Sequence, residues 1–130
     1  MSSDHGKECS LEEMFRLRVE FMESLRDKIP GVYPQWPIDP TEKRNQAHVR
    51  DIALRGVEEM FEALQHLKNS KPHRQTHLPD FDRDAFLEET VDAFNYFFSM
   101  LVLLGVDSQE LLEAYKKKHK TIKSRLEDGY

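Results

Sequence analysis

Cysteine is nearly absent: Cys9 is the only one in 130 residues, so no disulfide can close within the chain, which fits a reducing compartment. A signal-peptide core is also lacking, because the opening MSSDHGKECS is polar. Long apolar runs are missing too. The longest, Tyr96 to Val106, is interrupted by Ser99 and Gly105 and is too short to span a bilayer. These absences predict a cytoplasmic protein with no membrane partner. The formal net charge is −5, so there is no global basic field to draw in a nucleic acid polymer. Strand-like alternation and internal repeats do not occur. Neither a Walker loop nor a nucleophile elbow is present, and no histidine follows a glutamate by three positions. Nothing therefore suggests a covalent intermediate, a di-iron bundle lacks its Glu-x-x-His motif, and one cysteine without a paired-histidine motif argues against zinc.

What is present is helical periodicity. Residues 1–10 read as a loose tail on a single domain covering 1–130. Ser10 ahead of Leu11, Glu12 and Glu13 is an N-cap with acids in the first turn, and Pro30-Gly31 sets a stop, which predicts a helix over 11–28. Ile29 to Pro40 is rich in proline and forms a loop that carries Tyr33 and Trp36. A second helix is expected from just after Thr41 to about Asn69, on an apolar face that includes Ile52, Gly56, Met60 and Leu67. A polar connection over 70–80 leads to a third helix at about 82–104. It is apolar nearly all round, which places it centrally in a bundle or at a subunit interface. Gly105 ends it, and Asp107 or Ser108 caps a fourth helix running to about Leu126. The expected fold is an all-α, four-helix bundle-like domain.

Two acidic clusters fall on these helices. Glu58, Glu59 and Glu62 share an arc of about 100° on helix two. On helix three Glu89 falls within the apolar surface, and Asp92 lies about 60° away beside Asn95 and Ser99. A carboxylate on a buried surface must be neutralised, paired or bound to a metal. Either cluster alone has an ordinary reading as helix-dipole partners or solvated acids. Together, Glu59, Glu62, Glu89 and Asp92 offer four oxygen donors from two helices, which suits Mg²⁺ shared with waters and phosphates. On helix four, Lys118 and Arg125 lie seven residues apart. Either they hold phosphate oxygens or their stems snorkel along the stripe of Leu111, Tyr115, Ile122 and Leu126. Arg18 sits in the apolar stripe of helix one and needs an acid or an anionic ligand. Trp36 either stacks on a base or packs on helix one.

The pattern Glu59-x-x-Glu62, a spacer from Ala63 to Glu88, then Glu89-x-x-Asp92 resembles the all-α NTP pyrophosphatase superfamily of MazG proteins, dimeric dUTPases and phage dCTPase/dUTPases. Tyr115, Lys118, Arg125, Gly129 and Tyr130 match the tail of the phage branch, Y-x-x-K-N-x-x-N-x-x-R-Q-x-x-G-Y. His119, Ile122 and Leu126 depart from it. The stretch Met14-Phe15-Arg16-Leu17-Arg18, with Met22, departs from the dUTPase pattern of helix one. The resemblance implies Mg²⁺-dependent hydrolysis of a (deoxy)nucleoside triphosphate between its α- and β-phosphates, to a monophosphate and pyrophosphate. It implies metal binding by Glu59, Glu62, Glu89 and Asp92, with Glu59 or Glu62 handling the water, and phosphate binding by Lys118 and Arg125. Asn95 and Tyr96 resemble base- or sugar-contacting positions and join Arg18 and Trp36 as nucleoside-binding candidates. A homodimer or tetramer is expected. The alternative is a non-catalytic helical dimer or adaptor that keeps a degenerate version of the fold.

Overall fold

The computed structural model describes residues 10–68, 70–73, 75 and 80–129, and among them it is all-helical, with no strand. The tail over 1–9, the predicted helix end at Asn69, and Tyr130 lie outside the described residues. Four helices follow in order: α1 (Leu11–Lys28), α2 (Lys43–Leu64), α3 (Arg83–Leu103) and α4 (Ser108–Glu127). No single helix among the described residues is long and apolar enough to cross a membrane.

Local chemistry sets the boundaries. The Ser10 hydroxyl accepts from the Glu13 N–H (3.2 Å), so α1 begins where the cap predicts. Asp82 accepts from the Ala85 N–H (3.0 Å) and Asp107 from the Glu110 N–H (2.9 Å), starting α3 and α4. Asp39 organises the approach to α2 by accepting from both the N–H and the hydroxyl of Thr41. Those two bonds favour the ionised form and hold its carboxyl below the usual carboxylate range. α2 stops at Leu64, short of the expected Asn69. The N–H groups of Gln65, His66 and Leu67 each donate to the carbonyl three residues back, so the chain tightens into a turn although the apolar pattern runs on to Leu67.

The contacts divide the chain into two compact units. One comprises the residues up to Pro37 and those from Leu101 onward; the other is Ile38–Met100. In the first, Phe15, Met22, Val102 and Leu103 are buried. There Gly105 closes α3 with φ +77°. Its N–H donates to the Val102 carbonyl (3.0 Å) and the Val106 N–H to the Leu101 carbonyl (2.9 Å), the paired bonds of a Schellman motif.

In the second unit Ile38, Ile52, Gly56, Ala63, Ala93 and Ser99 are buried. Gly56 of α2 is where the Phe97 ring of α3 comes closest: a Cβ there would lie 2.6 Å from Phe97 Cε1. In an open helix Gly→Ala gains about 1 kcal/mol. Here Gly56→Ala is expected to lose about 1–2 kcal/mol, because the ring must leave its seat. Urea unfolding checks the sign: a raised midpoint would show that Phe97 yields freely. α3 itself is less enclosed than its composition predicts, since Leu87, Val91 and Phe94 are about half exposed.

Candidate active site

All four carboxylates predicted to bind metal belong to the second unit, Glu59 and Glu62 on α2 and Glu89 and Asp92 on α3. Glu59 and Glu89 are half-buried, while Glu62 and Asp92 are exposed. The i, i+3 spacing in each pair puts both members on one side of their helix. The Glu59 carboxyl is pushed above its ordinary value. Burial is the largest cause, followed by a hydrogen bond with Glu62, then repulsion from Glu62, Asp92 and Glu89. Every other member of the predicted set therefore acts on Glu59, and the clusters on two helices form one field.

The acids crowd without closing. Among the described residues no group of three or more His, Cys, Asp or Glu side chains is placed to hold a metal ion. The donor chemistry suits a hard cation, because all four groups offer oxygen and their mutual repulsion is what a cation would relieve. The side chains as they stand do not form a finished cage.

One member has a partner that sequence reasoning missed. His66 Nε2 lies 2.7 Å from Glu89 Oε2, with side-chain exposures of 24% and 30%. Glu89 was expected to need neutralising because it falls on an apolar face, and His66, just past the end of α2, supplies that contact. His66 is 23 positions from Glu89 and belongs to no local motif; only the need for a partner was visible. His66→Ala is expected to cost about 1 kcal/mol and to lower Tm by a few degrees. Thermal melts of the metal-free protein check this, and an unchanged Tm would show that the contact contributes nothing.

The remaining predicted residues are placed as follows. Asn95 and Tyr96, on α3 in the second unit, are half-buried. Arg18, Trp36, Lys118 and Arg125 belong to the first unit. Arg18 lies over the Phe21 ring at 4.7 Å. Trp36 carries the Arg26 guanidinium at 4.5 Å over its ring and meets Tyr33 edge-on at 6.3 Å, so the indole packs against α1 through a cation–π contact. Lys118 and Arg125 are exposed on α4. A pocket of about 530 Å³ in the first unit, lined by Phe15, Val19, Val102 and Val106 with Arg16 and Asp107, contains none of the predicted site residues.

Comparison with family models, with curated proteins and with solved structures found no match to this chain. What the described residues define is four helices, with Glu62 of α2 and Glu89 and Asp92 of α3 near enough to act on Glu59.

Proposed function

We propose that the chain is a Mg²⁺-dependent nucleoside triphosphate pyrophosphohydrolase of the all-α NTP pyrophosphatase type. The observation that supports this reading best is the raised carboxyl of Glu59, crowded by Glu62, Glu89 and Asp92 from two helices. Like-charge crowding costs stability, and a site that accepts this cost is poised for a cation or a proton. Glu59 and Glu62 of α2 with Glu89 and Asp92 of α3 are the proposed Mg²⁺ ligands. When bound there, the ion would neutralise charge on phosphate oxygens and lower the pKa of an attacking water.

The chain's own contribution is proton handling and orientation. Glu59 or Glu62 is the proposed base. It takes a proton from water as the hydroxyl adds to the α-phosphorus. The bond from that phosphorus to the α,β-bridging oxygen breaks, and pyrophosphate leaves. His66 holds one oxygen of Glu89 and fixes how that carboxylate is presented. Asn95 and Tyr96, in the same unit as the acids, are the proposed nucleoside contacts. A homodimer or tetramer in the cytoplasm completes the proposal.

The adaptor reading draws on a specific observation as well: the acids form no closed donor group. A panel of nucleoside and deoxynucleoside triphosphates, followed by Mg²⁺-dependent pyrophosphate release, separates the two. Release from at least one substrate supports the hydrolase. No release from any of them, by a protein whose helical content is intact, overturns it.

A further inference from the structure

Helix α4 has no buried residue, and every residue from Leu112 to Gly129 is exposed. Its apolar side chains are nevertheless ordered. Leu112, Tyr115, His119, Ile122 and Leu126 follow one another at steps of three and four, and the four apolar members are 37%, 71%, 46% and 70% exposed. That spacing draws a narrow seam of the coiled-coil kind, with one polar residue at its middle. A helix lying on a bilayer needs a wider apolar face. The seam therefore calls for another helix.

The borders of the seam restrict which helix. Lys116 and Lys123 run along one side, Lys118 and Arg125 along the other, and all four are exposed. Pairing α4 with its own copy in parallel would set Lys118 beside Lys123. Pairing it antiparallel would set each basic border against itself. Both arrangements put cation on cation, so the mate must carry acids.

Helix α1 carries such a border. Met14, Leu17 and Phe21 are 52%, 52% and 48% exposed and follow the same three-and-four spacing. Glu13, Glu20 and Asp27 lie at seven-residue intervals along one side of them. Phe15 and Met22, on a different face, stay buried, so docking at the seam leaves their packing intact. Arg16 bridges Glu13 and Glu20 on the surface, a pairing that incoming lysines can share. α1 and α4 of one protomer touch each other, yet both seams remain exposed in that protomer. The contact within the chain does not cover them.

We infer that α4 of one copy docks its seam on α1 of a second copy, so that a two-fold dimer contains two equal α4–α1 contacts. The inference names the surfaces of the proposed homodimer and does not depend on the hydrolase reading. Sedimentation equilibrium of the full chain tests it, with far-UV circular dichroism as the control for folding. The wild type is expected to be dimeric. Reversing the border that faces α1, by Lys116→Glu/Lys123→Glu for a parallel contact or Lys118→Glu/Arg125→Glu for an antiparallel one, is expected to weaken the dimer at least about tenfold. Adding Glu20→Lys/Asp27→Lys to the weakened variant is expected to restore it. A wild type that stays monomeric overturns the inference, as does a dimer indifferent to both reversals. A reversal that the α1 changes fail to rescue overturns it as well, because the mate would then be another surface.

Discussion

Glu62→Gln and Asp92→Asn are each expected to lower kcat/KM for Mg²⁺-dependent pyrophosphate release by about 10²–10³-fold, or about 3–4 kcal/mol of transition-state stabilisation. Both replacements keep the size of the side chain and remove its charge. Both positions are exposed, so the fold has little reason to respond. The effect is large because the two residues stand on different helices, and each is one of the charges acting on Glu59. Losing either one removes an oxygen donor from the proposed cation site. Glu58→Gln and Glu88→Gln provide the comparison. These acids neighbour the proposed ligands in sequence and are exposed, yet neither is among the groups that shift Glu59. They are expected to change kcat/KM less than about threefold. Equal losses at all four positions would mean that net acidity matters and the assigned site does not. Full activity in Glu62→Gln or Asp92→Asn would remove the site assignment.

The legible part of this chain is local. The bounds of α1 follow from a cap at Ser10 and a stop at Pro30-Gly31, and α4 follows from Gly105 and Asp107, because such signals act within a few residues. Where the signal was an apolar pattern alone, the reading overran. Leu67 continues the stripe of α2 but lies beyond its last turn, since periodicity reports which face is apolar and not where the backbone bonds change. The composition of α3 likewise could not tell which of its apolar residues would be covered: Ala93 and Leu103 are buried, while Leu87, Val91 and Phe94 are not. Within the candidate site the acids and their spacing were visible, and so was the need of Glu89 for a partner. His66 was not, because a contact across 23 positions depends on how two helices pack. For Trp36 the sequence leaves base stacking and packing on helix one both open, and Arg26 of α1 occupies its ring. Of the α4 seam, Tyr115, Ile122 and Leu126 are legible as a stripe flanked by Lys118 and Arg125; that no residue of α4 is buried among the described residues required coordinates.

Saturating Mg²⁺ is expected to stabilise the wild-type protein at pH 7 by about 2–3 kcal/mol when present at roughly a hundred times its Kd, and to stabilise Glu59→Gln far less. The reason lies in the direction of the Glu59 shift. Its folded-state pKa is raised above the ordinary glutamate value. The folded chain therefore takes up a proton there more readily than the unfolded chain does. The stability linked to that proton is fully present below the unfolded pKa and is lost as pH rises through the folded one. At neutral pH the metal-free wild type bears the cost of burying the Glu59 carboxyl and of its repulsion by Glu62, Asp92 and Glu89. Glu59→Gln removes one of the crowded charges, so the metal-free variant should melt above the wild type at pH 7, and the difference should shrink as pH falls toward the ordinary carboxylate range. Mg²⁺ bound at the proposed site would relieve the same repulsion in the wild type, so its stabilising effect and that of the substitution should not add. Melts at pH 4.5 and pH 7, each with and without Mg²⁺, provide the four comparisons. Equal Mg²⁺ shifts in both proteins would show that the ion binds elsewhere. A lower melting point for Glu59→Gln at pH 7 would show that the carboxylate is held by a favourable contact and is not crowded by its neighbours.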